Sequence, residues 1–144
     1  MPSDLKGRTL GLDVGERRIG VAPSDPLGIT AQRLTVITRQ EPGRDLDAVA
    51  ALANEHEVNA IVVGLPLMMR GEAGEQAKRV MAFAEALTPK VACAVHMWDE
   101  RLTTVQGERA LLETGASRQD RKRLIDQVAA QLILQSYLDT HANR

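Results

Sequence analysis

Apolar residues fill Leu10 to Val14 save for one acid, Asp13, and glycines stand close on both sides at Gly11 and Gly15. A second apolar stretch, Ile19-Gly20-Val21-Ala22, follows directly. Two such runs separated by a glycine turn predict paired strands over Arg8 to Val14 and Arg17 to Pro23. Arg33 to Thr38 reads as a third strand, and three strands without an intervening helix make an antiparallel meander. After the Pro42-Gly43 break the pattern changes period. Leu46, Val49, Ala50 and Ala53 recur at helical spacing, and Ala60 to Gly64 forms a short buried strand. Ala77, Val80, Met81, Ala84 and Leu87 mark a second amphipathic helix, and Val91 to Trp98 a further strand. Helix alternating with strand favours parallel pairing, so the reading is an α/β fold, a mixed sheet flanked by helices.

Two more helices are predicted near the end. Thr103 with Gln106 makes a capping box for a helix reaching about Thr114, where Gly115 supplies a stop. The last helix runs from about Asp120 to Leu138. On its wheel Asp126 shares a face with Ala129, Ala130, Ile133 and Tyr137, while Gln127, Gln131 and Gln135 turn to the other side. Asp126 therefore points at the sheet, and the small alanines beside it let the helix approach closely. Met68 to Gly74 reads as an exposed loop.

Composition narrows the class. The 144 residues are expected to form a single domain over 1–144, 44% hydrophobic, with no apolar run near the roughly 20 residues of a membrane span. One cysteine, Cys93, makes no internal disulfide, and no signal peptide is read, so a cytoplasmic location is expected, with no membrane partner. A net charge of −1 carries no global nucleic-acid signature. Local clusters do: Arg17 with Arg18 after the first turn, and Arg118, Arg121, Lys122 and Arg123 next to Asp126. With 2% aromatic residues no base-stacking platform is expected, and Trp98 and Tyr137 are read as structural.

A lone acid in a core strand costs several kcal/mol to desolvate unless it meets a cation or hydrogen-bond donors. Asp13 is such an acid, and Glu100, just past the last strand, and Asp126 are two more that structure alone does not ask for. Their convergence in one pocket would suit Mg2+ or Mn2+, which prefer oxygen ligands. Two such ions roughly 3.5–4 Å apart serve phosphodiester hydrolysis by activating water and neutralising the leaving oxygen. Asp13 is the candidate bridge between them, with Glu100 and Asp126 closing either side. Crowding like charges destabilises the ion-free fold, so Asp126→Asn is expected to stabilise it.

The residues around these acids are specific. Gly11-Leu12-Asp13-Val14-Gly15 with Arg17 and Ile19-Gly20-Val21-Ala22, Ser24-Asp25-Pro26, Val63-Gly64-Leu65-Pro66-Leu67, Asp99-Glu100-Arg101-Leu102-Thr103-Thr104, and Asp126 with Ala129-Ala130 stand in order along nearly the whole chain. In these blocks the chain resembles the YqgF family, pre-16S rRNA nucleases also described as Holliday-junction-resolvase-like, within the RNase H-like superfamily. The resemblance implies a five-stranded mixed sheet in order 3-2-1-4-5 and Asp13, Glu100 and Asp126 as catalytic, metal-binding acids. It also implies a metal-dependent nuclease acting in 5′-end processing of pre-16S rRNA during ribosome biogenesis.

The chain departs from the family pattern in two places. Met68-Met69-Arg70 stands where the family shows an Asn and then an Asp, so Arg70 is a candidate phosphate contact. Ala129 stands where related resolvases carry another ligand, which leaves a one-metal mechanism open. Arg101 is a further candidate for nucleic-acid contact, or a partner of Asp99. The alternatives kept are a resolvase-like nuclease on branched or single-stranded DNA, and a non-catalytic nucleic-acid-binding module of the same fold. As a monomer or weak homodimer, such a chain needs only nucleic acid as partner.

Overall fold

The computed structural model describes residues 7–105 and 118–142, with side chains described from residue 124 to 141 in the last helix. Five strands form one sheet: β1 Thr9–Val14, β2 Arg18–Pro23, β3 Thr35–Thr38, β4 Ala60–Leu65 and β5 Ala94–Asp99. Their order is β3-β2-β1-β4-β5, with β1, β2 and β3 antiparallel and β4 and β5 parallel to β1. This is the mixed α/β sheet expected from the change of period at Pro42. That proline opens α1, Pro42–Glu55, at a position where its missing N–H costs nothing. Helix α2 spans Glu75–Leu87 and α3 spans Arg118–Ala142.

The two faces of the sheet differ in kind. Leu10, Leu12 and Val14 of β1 point to one face, where they join Ile19, Val21, Ile61 and Val63 under α1 and α2. Each such buried aliphatic side chain contributes about 1.5–3 kcal/mol. On the other face the alternate positions include Gly11 and Asp13 on β1, Gly20 on β2 and Gly64 on β4, with Val62 as the aliphatic member. Helix α3 lies there, packing Ala129, Ile133, Leu134 and Leu138 with Val62, Val105 and Ala31. Built on Gly11, a methyl group would meet Leu134 Cβ at 2.7 Å and the Ala130 carbonyl at 3.0 Å. The glycines thus set how deeply α3 sits.

Some boundaries differ from those read in the sequence. β5 starts at Ala94 because β4 starts at Ala60, its first partner, leaving Val91 to Cys93 nothing to pair with. β3 is short because Gln32 and Leu34 bond to β2 carbonyls outside the regular ladder. Gln131 and Gln135 do not simply face away: Gln131 donates to the Ala31 carbonyl, and Gln135 accepts from the Ala31 N–H and donates to the Ile29 carbonyl. They clamp the loop after β2, whose other end Asp25 closes by accepting from the Ile29 and Thr30 amides. The helix expected from Thr103 to Thr114 lies outside the described residues beyond Val105. Thr103 does accept from the Val105 amide as a cap would. Among the described residues no helix is long and apolar enough to cross a membrane.

Candidate active site

Asp13 is fixed by register. It pairs across the hairpin with Gly20, and one residue beyond the Leu12↔Val63 pair it comes beside Gly64 on the parallel strand. It therefore stands between two glycines on the α3 face. Each glycine is covered by part of another predicted acid. A methyl group built on Gly20 would overlap the Asp126 carbonyl, and one built on Gly64 would lie 3.0 Å from Glu100 Oε2. Three elements distant in sequence thus bring Asp126 and Glu100 to either side of Asp13, and the spacing between them is set by the absence of two Cβ atoms.

The three acids differ in surroundings. Asp13 is 6% exposed and Glu100 5%, and no buried side-chain nitrogen or oxygen among the described residues is without a hydrogen-bond partner. Glu100 opens a 3-10 turn, Glu100–Leu102, fixed by Thr103, whose hydroxyl donates to the Glu100 carbonyl. Asp126 does face the sheet, but its carboxylate accepts from Arg18 Nε at 2.5 Å in a half-buried ion pair. Among the described residues no group of three or more His, Cys, Asp or Glu side chains stands close enough to hold a metal ion. The fold brings the main chain at Asp126 and the Glu100 side chain to neighbours of Asp13, while the Asp126 carboxylate is turned to Arg18. Arg18 sets a cation against Asp126, which opposes the expected like-charge crowding at that acid.

Of the two readings of Arg101, nucleic-acid contact or partner of Asp99, the structure displays the pairing. The Arg101 guanidinium donates to both oxygens of Asp99, from Nε to Oδ1 at 3.1 Å and from Nη2 to Oδ2 at 2.7 Å, and to the Met69 carbonyl at 3.2 Å. The guanidinium holds Asp99 below the usual carboxylate range, and the carboxylate raises Arg101 in turn. It tethers the loop after β4, whose Gly71 (φ 93°) closes against Arg101. A cleft of about 360 Å³ lies there, lined by Met69, Asp99, Glu100, Leu102 and Thr103. Arg17 and Arg70 are exposed, whereas the side chains of Arg118, Arg121, Lys122 and Arg123 lie outside the described residues. Cys93 is half-buried, and burial pushes its thiol up, which suits packing rather than nucleophilic work.

Sequence reading missed the supporting residues. Arg39 donates to the Gly15 carbonyl at 2.9 Å, bonds the buried Asp45 at 3.1 Å and lies over the Phe83 ring, locking the turn that follows Asp13. Nothing at Arg39 in the sequence signals this, since its partners come from three other elements. Gly20 and Gly64 were more legible, because glycine inside a strand marks close backbone approach.

A mixed five-stranded sheet with this order, carrying buried carboxylates beneath one long helix, defines an RNase H-like α/β domain. Solved structures agree on the fold: Thermus thermophilus RuvC, both in complex with a Holliday junction substrate and alone, superposes with TM-scores of 0.62 and 0.61 at 16% identity, covering 94% of this chain and 96% of that one. The chain belongs to the RuvX family, described as Holliday junction resolvase, whose model matches residues 7–140. Relatives named "Putative pre-16S rRNA nuclease" come from Myxococcus xanthus, 51% identical over 93% of this chain and 89% of that protein, and from Clostridium novyi, 49% identical over 92% and 98%. Membership makes the chain an enzyme of the nuclease class, a hydrolase of phosphodiester bonds.

Proposed function

We propose that the chain is a cytoplasmic, divalent-metal-dependent nuclease that trims the 5′ end of precursor 16S rRNA, with Asp13, Glu100 and Asp126 as its catalytic acids. The observation that carries this is the placement of Asp13 between Gly20 and Gly64, with Asp126 over one and Glu100 over the other. The donor set fits Mg2+ or Mn2+: every candidate ligand is a carboxylate oxygen, the hard donor these ions prefer. Bound there, the ion would supply an activated water and neutralise the leaving oxygen.

The chain's own residues do the rest. The ladder bonds of β1 and the buried setting of Glu100 hold two acids rigidly, as a reaction intolerant of misalignment needs. The exposed Arg17 and Arg70 offer guanidinium forks to backbone phosphates, and Arg118, Arg121, Lys122 and Arg123, close before Asp126 in sequence, are further candidate contacts. Arg101 shapes the cleft beside Glu100 by tethering its rim. The substrate assignment rests on the names of the relatives.

Branched DNA is the second reading, favoured by the description of the family model. A cleavage panel of precursor rRNA, single-stranded RNA and DNA, and four-way junctions, each with Mg2+ and with Mn2+, separates them. Preferred cutting of the precursor, lost in Asp13→Asn with the melting temperature kept, supports the proposal. Full cleavage by that variant overturns it, and preferred cutting of junctions moves the substrate to DNA.

A further inference from the structure

Arg18 and Asp126 lie 108 residues apart and meet in a pair whose side chains are 26% and 19% exposed. A charge-assisted bond at such a half-buried place is stronger than a surface pair, because water screens it less. Its position matters more than its strength. Residues two apart on a strand share a face, so Arg18 projects on the α3 side with Gly20. Gly20 is the partner of Asp13, and the Asp126 carbonyl rests on Gly20. The main chain at Asp126 is thereby anchored over the residue opposite Asp13. From that fixed point its carboxylate is held by Arg18, two residues before Gly20 on β2.

We propose that Arg18 is a positioning residue that holds Asp126 as an internal counter-ion, which a divalent cation at Asp13 and Glu100 displaces. The inference rests on reading the three acids as a metal site. Guanidinium and metal ion compete for one carboxylate, so every increment of the ion pair's net stability is subtracted from the ion's affinity. With the metal absent, the pair keeps Asp126 neutralised and apart from Asp13. A merely structural clamp does the reverse: its loss would loosen α3 and weaken ion binding.

Calorimetric titration of the full chain with Mn2+ alone, in the absence of nucleic acid, tests the competition. Arg18→Gln is expected to bind Mn2+ about tenfold more tightly than the unmodified chain, the equivalent of about 1.4 kcal/mol. Arg18→Lys, which keeps the charge but not the fork, falls between the two. In the Arg18→Gln/Asp126→Asn double variant the gain disappears. Unchanged or weaker binding by both Arg18 variants, with Asp13→Asn still abolishing it, overturns the competition and leaves the metal site standing. Equal binding by the unmodified chain and Asp13→Asn removes the metal site, and the competition with it.

Discussion

The Asp126 carbonyl rests directly on Gly20, at a point where even a single methyl group finds no room. Helix α3 is therefore seated on the sheet by main-chain contact at the residue opposite Asp13. Gly20 has no left-handed backbone conformation to explain it, so the demand here is for space.

Gly20→Ala is expected to push α3 off the sheet. Overpacking of this kind costs about 1–3 kcal/mol, read as a lower midpoint in urea unfolding. Cleavage falls further than stability accounts for, because displacement separates Asp126 from Asp13. Gly43→Ala, on helix α1 with nothing near its added methyl group, is the control: it leaves cleavage unchanged and does not lower stability.

Asp126→Asn removes a partner from Arg18 and leaves a half-buried guanidinium without its counter-ion. The expected outcome is a loss of about 1 kcal/mol in the ion-free protein near neutral pH, seen as a lower melting temperature at low salt. Like-charge crowding alone predicts the opposite sign, so a raised melting temperature would restore that view.

Arg39→Ala deprives Asp45, 3% exposed, of its cation and releases the Gly15 carbonyl. About 2–3 kcal/mol of stability is expected to go, since an acid left buried without its cation is costly. Pairing it with Asp45→Ala recovers part of the loss. A double-mutant cycle with zero coupling would show that the two act separately.

Acid should weaken the fold at two identifiable places. The Arg101 guanidinium lowers Asp99, and the Thr30 and Ile29 amides lower Asp25. Depressed folded values mean stability that is present above the unfolded value of roughly 4 and is lost as pH falls through the folded ones. Melting temperatures of Asp25→Asn and Asp99→Asn should therefore lie below that of the unmodified chain at pH 6 and converge with it at pH 2 to 3. A gap that stays constant with pH would assign the loss to packing.

Much of this was legible in the sequence. The switch of period at Pro42 pointed to the mixed sheet, and an acid inside the apolar run from Leu10 to Val14 singled out Asp13, which the fold places buried between Gly20 and Gly64. The inward face of Asp126 followed from its helical spacing with Ala129 and Ile133. What escaped were side-chain choices made across long separations. Arg18 looks like a surface cation in sequence, and only the fold shows that Asp126 takes it, whereas the pairing of Arg101 with Asp99 was one of two readings open from their adjacency. Gln131 and Gln135 read as a polar face, yet the loop after β2 returns to cover them.

Met69, 86% exposed, borders the cleft beside Glu100 on a loop that Arg101 holds in place. A thioether offers no strong donor or acceptor and bends through several bonds, so that lip is suited to contact by contour and not by hydrogen bonding. If substrate passes this edge, recognition there rests on the shape of the strand, and the choice of cut has to come from contacts elsewhere or from the architecture of the substrate.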